Sequence, residues 1–175
     1  EDLDLPILTE HVYVSGLGKT ADTMGLSEHV MGVVGQEVTT FGYGHFNAFP
    51  LVWDPTAPNN GAILPYNKDP VALFEAMRNQ SSKDVVIAVN HPRGAALGSY
   101  FTYVGLNATD DTVEKPNEWS TNWEAIEVFN GKCHGSSNLE ALGDWIGFTN
   151  NGYRKTLASG SDVHGESAIP GFPRN

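Results

Sequence analysis

The sequence contains one cysteine, few basic side chains and no long hydrophobic run. Cys133 has no partner for an internal disulfide, so the fold is not built on disulfides. No apolar run approaches the roughly 20 residues that a transmembrane helix needs. Ten Lys and Arg against 21 Asp and Glu give a formal net charge of −11, which disfavours nucleic acid and anionic membranes as partners because like charges repel. A small anionic substrate stays compatible with this charge, since bound metal ions reverse the local field.

The sequence does contain enough apolar material for one folded domain with a substantial core. Its 175 residues are 40% hydrophobic and include four Trp, eight Phe and six Tyr. No linker or internal repeat divides the chain, so we predict a single domain over residues 1–175. Strand-like runs alternate with helices or loops, which predicts an α/β architecture with mainly parallel strands.

Local patterns place the individual elements. Asp69 is a favourable N-cap and Pro70 suits the first helical position, so a helix is predicted to begin there. A second helix is predicted over 136–151, with Gly152 placed to end it. The predicted loops are 53–70 and 94–122. The strand-like runs are 5–12, 31–39, 41–52, 84–90, 123–130 and the run that leads into Ser161-Asp162-Val163-His164.

Most of the candidate metal ligands lie at or near the ends of these strand-like runs. They are Glu10, His11, Glu37, His91, Asp162 and His164, and His45 lies near the start of its own run. The carboxyl ends of parallel strands meet at one edge of a sheet, where ligands bind in α/β folds. Imidazoles together with carboxylates suit Zn²⁺, Mn²⁺ or Fe²⁺. The pattern therefore predicts a divalent-metal site at that edge.

Other interpretations of single residues stay open at this point. Glu37 could be solvated or cap a loop, and His45 could be a hydrogen-bonded core histidine. Arg93 could hold a substrate anion or a developing oxyanion, or it could form a surface salt bridge. Glu127 and Asn130 could support the ligands through hydrogen bonds, although a turn-stabilising role is favoured for Asn130. Two histidines away from strand ends receive no site role: His29 and His134.

Six motifs in order resemble the PHP (polymerase and histidinol phosphatase) superfamily, and within it the carbaryl hydrolase-like branch of metal-dependent hydrolases. They are Thr9-Glu10-His11, Gly35-Gln36-Glu37-Val38-Thr39-Thr40, Gly44-His45-Phe46-Asn47, Asn90-His91-Pro92-Arg93, Glu127-Val128-Phe129-Asn130-Gly131 and Ser161-Asp162-Val163-His164. The resemblance extends from residue 5 to residue 173. The family has Asp at the position of Glu10.

The resemblance implies a distorted (β/α)7 barrel of the PHP type with two or three Zn, Mn or Fe ions. Glu37 would bridge two metals, one of them also held by His45 and His91. Asp162 would bind the other bridged metal, while His11 and His164 would serve a third. The family opens with an H-x-H motif on its first strand, which this sequence does not contain. We therefore expect a barrel incomplete at its N-terminus and a fragment of a longer protein.

The activity that the resemblance implies is that of a metal-dependent hydrolase, most simply a phosphoesterase that uses a metal-bridging hydroxide. Arg93 is expected to stabilise charge, and Glu10 to orient His11 or to shuttle a proton. The substrate would be a small phosphate ester. The alternatives are a carbamate, amide or ester hydrolase, and a non-catalytic metal-binding domain that acts through partners. Oligomeric state and compartment stay open, the latter cytoplasmic or secreted if a leader was removed.

Overall fold

The fold is a mixed α/β structure around a five-stranded sheet. The computed structural model describes residues 4–81, 84–95, 97–131, 135–165 and 170–171. Its strands are β1 (Ile7–Leu8), β2 (Val33–Val34), β3 (Gln36–Thr39), β4 (His45–Phe49), β5 (Val86–Asn90), β6 (Ala125–Asn130) and β7 (Thr156–Gly160). Its helices are α1 (Gly18–Thr23), α2 (Pro70–Gln80), α3 (Tyr100–Val104) and α4 (Ser136–Asn150), with 3₁₀ turns at Pro58–Asn60 and Pro116–Glu118. None of the helices in these ranges is long and apolar enough to cross a membrane.

The five strands β3 to β7 form one sheet in chain order. The pairs β3/β4 and β4/β5 are antiparallel, whereas β5/β6 and β6/β7 are parallel. Strands β1 and β2 form a separate parallel pair, and a parallel bridge between His11 and Glu37 continues it alongside β3. The backbone N–H of Glu37 donates to the carbonyl of Glu10 at 3.0 Å. This ladder brings the first segment of the chain beside the sheet.

The predicted (β/α)7 barrel is wrong. Within the described ranges one five-stranded mixed sheet and four helices are present, and the strands do not close on themselves. The reason lies in the connection between β3 and β4, which consists of residues 40–44 only. A crossover to a parallel strand needs a dozen or more residues, so this link permits only an antiparallel hairpin. The expected mainly parallel sheet is therefore mixed.

The tight β3–β4 hairpin is held by one hydroxyl and one glycine. Thr40 Oγ1 donates to the carbonyl of Gly44 at 2.7 Å and accepts from its N–H at 3.0 Å. Gly44 has a φ of 136°, and a Cβ there would lie 3.0 Å from the Cβ of Tyr100 on α3. A positive φ and this close approach favour glycine. The hairpin thereby fixes where β4, and with it His45, begins.

The core lies on one face of the sheet, between the strands and the helices. Strand residues Val38, Phe46, Ile87 and Ile126 are fully buried, as are helix residues such as Phe74 of α2. The Phe46 and Phe74 rings meet edge to face with centroids 5.0 Å apart. Alternate strand positions point to the opposite face, since side chains alternate along a strand. That second face carries the polar residues described below.

Several predicted elements are confirmed, and one was missed. Helix α2 begins at Pro70, and the Asp69 carboxylate accepts from the N–H of Ala72 at 2.8 Å as an N-cap. The second predicted helix and the apolar strand β5 are also present. Helix α3 was missed because its five residues lie within the long polar segment 94–122. The first strand-like run is reduced to two paired residues.

We expect Gly147→Ala to lower the free energy of unfolding by about 1–3 kcal/mol. Gly147 lies on the buried face of α4, and a Cβ there would be 2.6 Å from the carbonyl oxygen of Ala108. Gly143 on the same helix has open space around it, so Gly143→Ala should gain up to about 1 kcal/mol from helix propensity. Urea unfolding of both variants measures the contrast. Equal stabilisation by the two substitutions would contradict the close packing of α4.

Candidate metal centre

Three predicted ligands converge at one edge of the sheet. Glu37 lies on β3, His45 begins β4 and His91 directly follows β5. Nδ1 of His45 is 3.0 Å from Oε1 of Glu37 and 2.9 Å from Nε2 of His91, and Nε2 of His91 is 4.0 Å from the same carboxylate oxygen. All three ligand atoms lie within 4.8 Å of one another. One oxygen and two imidazole nitrogens are thus available to one cation.

The carboxylate of Glu37 is buried, and its Oε1 atom has no hydrogen bond among the described residues. The residue is 5% exposed, and Oε1 accepts no hydrogen bond within the described part of the chain, although His45 Nδ1 is close. Burying a carboxylate oxygen without a partner is costly, and proteins keep such groups where they pair with a cation or coordinate a metal. The donor set therefore fits a divalent ion.

Glu127 on β6 orients the His91 ring. Oε2 of Glu127 lies 3.1 Å from Nδ1 of His91 and accepts from the His91 backbone N–H at 2.6 Å. With Nδ1 protonated to donate to this carboxylate, Nε2 presents its lone pair toward Glu37 and His45. A histidine that donates its second ring N–H to a carboxylate is the usual arrangement for a metal ligand.

The same carboxylates alter the proton affinity of His91. Burial by itself lowers the pKa of His91, but the hydrogen bond and charge of Glu127, with the charges of Glu37 and Asp162, raise it above its ordinary value. The negative field that favours a proton at His91 also favours a divalent cation at the same place.

A second pair of imidazoles lies next to the first cluster. Nε2 of His11 and Nε2 of His164 are 2.8 Å apart. Nδ1 of His164 faces the carbonyl of Asp162 at 2.8 Å, and Nδ1 of His11 faces Oγ1 of Thr39 at 2.5 Å. When both Nδ1 atoms donate, the two Nε2 lone pairs point at each other. Nδ1 of His11 is also 3.9 Å from Oε2 of Glu37, so this carboxylate lies between both imidazole groups.

Asn130 connects Asp162 to the first cluster. Its amide Nδ2 lies 3.0 Å from Oδ2 of Asp162, 3.3 Å from Oε2 of Glu127 and 3.3 Å from Nδ1 of His91. Oδ1 of Asp162 is 3.3 Å from Nδ1 of His164. Asp162 therefore lies on the His164 side of the site. The side chain of Asn130 therefore belongs to the site network, whereas a turn-stabilising role was favoured from the sequence.

The backbone at the candidate ligands adopts rare conformations. His91 has a φ of 27° and Asp162 a φ of 48°, and Val12, which follows His11, has a φ of 51°. The left-handed region is uncommon for residues other than glycine and is a clear outlier for a β-branched one. Such conformations cost about 1–3 kcal/mol each and concentrate at functional sites. Three of the seven non-glycine residues with positive φ in the described ranges are thus at or beside candidate ligands, and the other four are Asn or Asp residues elsewhere in the chain.

Five of the six predicted metal ligands line a cavity of about 660 Å³ between the polar face of the sheet and the first segment of the chain; the sixth, His45, is not among the lining residues. Residues 4–11 line one side, and residues 158–164 line another. The floor includes the small side chains Ala88, Ala125 and Ala158. This volume is in the range of small-molecule sites.

Of the two predicted catalytic residues, one lies at the cavity and the other points away from it. Glu10 is exposed and lines the cavity beside His11. Arg93 is turned to α4, where it donates to both carboxylate oxygens of Asp144 at 2.6 and 2.7 Å and to the carbonyl of Leu106 at 2.8 Å. The structure does not bring its guanidinium to the cluster. Burial raises the pKa of Asp144, and Arg93 acts against that rise.

Sequence reasoning did not assign a site role to three polar residues of this region: Thr39, Asn47 and Asn90. Thr39 follows Glu37 by two positions, and the period of two along a strand places both on one face. Asn47 and Asn90 are polar residues in apolar strands that line the cavity. The sequence signal that could have identified Asn47 and Asn90 is a polar residue within an otherwise apolar strand. Cys133 and His134 lie outside the described residues.

Glu127→Gln should weaken binding of Zn²⁺ by roughly 10–100-fold, because the amide is a poorer acceptor for the His91 N–H and lacks the charge. Competition titration against a chromophoric chelator measures the affinity. Glu140 on the surface of α4 supplies the matched control Glu140→Gln, which should bind as the wild type does. Equal Zn²⁺ affinities of the wild type, Glu127→Gln and Glu140→Gln would show that Glu127 does not support the metal site.

No family model matches the chain, and the searches of curated proteins and of solved structures found no match. The functional argument therefore rests on the geometry of the residues.

Proposed function

We propose that the protein is a divalent-metal-dependent hydrolase related to the PHP superfamily and that its substrate is a phosphate ester. One observation carries the proposal. The buried Oε1 of Glu37 accepts no hydrogen bond in the described ranges, and imidazole nitrogens of His45 and His91 converge on it.

Glu37, His45 and His91 would hold the first ion. His11 and His164, whose Nε2 atoms are 2.8 Å apart, would contribute to holding a further one, and Oε2 of Glu37 lies 3.9 Å from Nδ1 of His11. Asp162, 3.3 Å from Nδ1 of His164, would supply a carboxylate on that side. Carboxylate and imidazole ligands favour Zn²⁺, Mn²⁺ or Fe²⁺. When bound, such an ion supplies Lewis acidity and lowers the pKa of water.

The protein's own side chains hold the rings of the candidate ligands in position. Glu127 fixes the ring of His91, and Thr39 holds that of His11. Glu10 is an exposed carboxylate at the cavity and would exchange a proton with water. Residues 4–11 and residues 158–164 line two sides of the cavity beside the cluster.

A carbamate, amide or carboxylic ester is the second candidate substrate. No Lys or Arg is present among the described residues that line the cavity, and Arg93 is bonded to Asp144 instead. Phosphate dianions are usually met by such cationic side chains. A neutral or singly charged ester needs less compensation.

Hydrolysis of chromogenic esters tests the proposal. The purified protein should release 4-nitrophenolate from a 4-nitrophenyl phosphodiester or from a 4-nitrophenyl carbamate, and a chelator should abolish the reaction until Zn²⁺ or Mn²⁺ is restored. His45→Ala should be inactive, whereas His29→Ala, which changes an exposed histidine outside the site, should be fully active. Turnover that survives in His45→Ala, or none from the metal-loaded protein with either ester, would contradict the proposal.

A further inference from the structure

The cavity beside the metal cluster has an apolar part as well as a polar one. The polar part contains the candidate ligands that line the cavity. The apolar part includes five side chains without polar atoms, which we call the apolar patch: Leu5, Ile7, Phe49, Ala88 and Ala125. On β5 and β6 the patch residues Ala88 and Ala125 precede Asn90 and Glu127 by two positions. Two strand positions span about 7 Å, so one small molecule can reach both parts.

The strand register joins the residues of the apolar patch into one surface. Ala88 lies opposite Ala125 in the β5/β6 ladder. Phe49 on β4 lies two positions beyond Asn47, the partner of Ala88, and therefore points to the same face of the sheet. Leu5 and Ile7 are two positions apart on the first segment of the chain and line the cavity from its other side.

The apolar patch leaves hydrophobic surface in contact with water inside a concave site. Leu5 is 55% exposed and Ile7 is 37% exposed, although both line the cavity. The methyl groups of Ala88 and Ala125 fill little of the space across from them. Covering such surface with an apolar group is favourable in proportion to the area removed from water. Exposed apolar surface next to a few polar groups is typical of a small-molecule site.

The charges of the cavity exclude an anionic group from this part of it. Its described lining contains no Lys or Arg, and Asp4 adjoins Leu5 at the patch. The five patch side chains offer no polar atom to a hydroxyl or an amine. An uncharged apolar group therefore fits this surface best.

We propose that the apolar patch binds an alkyl chain of the substrate while the group to be hydrolysed lies at the metal cluster. The inference rests on the proposed hydrolase function and narrows its substrate to esters with a medium-length apolar chain. The chain must extend about 7 Å or more from the reacting centre to cover the patch, so an ethyl group is too short and a hexyl group is long enough. The patch residues determine specificity and take no part in bond cleavage.

A series of alkylphosphonates tests the length of the bound chain. Ethyl-, butyl-, hexyl- and octylphosphonate share one metal-binding headgroup and contain no ester bond. In calorimetric titrations of the Zn²⁺-loaded protein, below micelle-forming concentrations, the affinity should rise about threefold for each CH₂ group that reaches the patch. Hexylphosphonate should thus bind at least about tenfold more tightly than ethylphosphonate. The carboxylate-terminated 5-carboxypentylphosphonate should lose this gain. Equal affinities along the series would overturn the inference.

Variants of Ile7 and Ala125 assign the chain-length effect to the apolar patch. Ile7→Ser should lower the hexyl-to-ethyl affinity ratio about threefold or more, since it removes an apolar contact of the chain. Ile146→Ser changes an exposed isoleucine of α4 outside the cavity lining and should keep the wild-type ratio. Ala125→Leu should shift the highest affinity to a shorter chain, because the larger side chain occupies part of the patch. Melting temperatures verify folding, and an unchanged length profile in folded Ile7→Ser would contradict the inference.

The binding measurements separate this inference from the proposed function. A chain-length effect without hydrolysis of either 4-nitrophenyl ester rejects the hydrolase and supports the alkyl site. Hydrolysis together with equal phosphonate affinities rejects the alkyl site alone. If the protein binds no Zn²⁺, the metal-free protein is titrated with 1-octanol and 1-butanol and followed by NMR. Tighter binding of octanol, weakened in Ile7→Ser, then supports the alkyl site, and equal binding of the two alcohols rejects it.

Discussion

Glu37→Gln should weaken the binding of a divalent metal ion on the order of 100-fold or more, beyond the 10–100-fold expected for a supporting residue such as Glu127. Glu37 supplies the only carboxylate of the three-residue cluster in the described structure, and its second oxygen faces His11. Replacing it removes a charged ligand shared by both groups of histidines. Zinc affinity by chelator competition, with Glu75→Gln on the exposed side of α2 as the control, measures the loss.

The stability of the metal-free protein distinguishes a ligand from a structural carboxylate. Because Oε1 of Glu37 accepts no hydrogen bond in the described ranges, Glu37→Gln should leave the metal-free melting temperature unchanged or raise it by up to about 4 °C. The same concentration of added Zn²⁺ should then stabilise the wild type more than the variant. A variant that binds zinc normally but melts several degrees lower would assign Glu37 to the fold alone.

Arg93→Met should lower the free energy of unfolding by about 3 kcal/mol or more without loss of metal. Arg93 and Asp144 form a two-point ion pair in which their side chains are 16% and 9% exposed, so the substitution leaves a mostly buried carboxylate without its partner. Chemical unfolding measures the loss. The double variant Arg93→Met/Asp144→Leu should recover part of the stability, since it removes the stranded charge as well.

The effect of Arg93→Met should depend on pH through Asp144. Burial raises the pKa of Asp144, and removing Arg93 takes away the interaction that lowers it. A carboxyl whose pKa is raised in the folded state favours folding at low pH, and that contribution is lost as the pH rises through the folded pKa. The difference between wild type and variant should therefore shrink toward acidic pH. Normal stability with turnover lost would instead support the catalytic role predicted for Arg93 from the sequence.

Local sequence patterns predicted the elements that depend on few neighbours. The N-cap at Asp69 and the apolar run of β5 are properties of short segments, and both are confirmed. The barrel depended on the resemblance to a family, and the short hairpin at 40–44 contradicts it. That hairpin is visible in the sequence as Gly42 and Gly44 between two strand-like segments. The predicted run 41–52 is shorter in the structure, where the strand extends from His45 to Phe49.

Part of the candidate site follows from the positions of residues near strand ends, and part depends on strand directions and on distant contacts. Glu37 and His91 were expected together because they occur near strand ends, and the structure brings them together. His45 joins them because β4 is antiparallel, so that the start of this strand lies at the same edge. The pairing of His11 with His164 spans 153 positions, and no local pattern encodes such a contact. The hydrogen bonds of Asn130 and the direction of Arg93 depend equally on distant packing.

Elemental analysis of protein purified without chelators tests the metal centre most directly. We predict at least one equivalent of Zn, Mn or Fe per chain in the wild type, and two when His11 and His164 hold a further ion. His91→Ala should lose the metal of the three-residue cluster, whereas His29→Ala should keep the wild-type content. Near-zero metal in the wild type, even after reconstitution with each ion, would contradict the account.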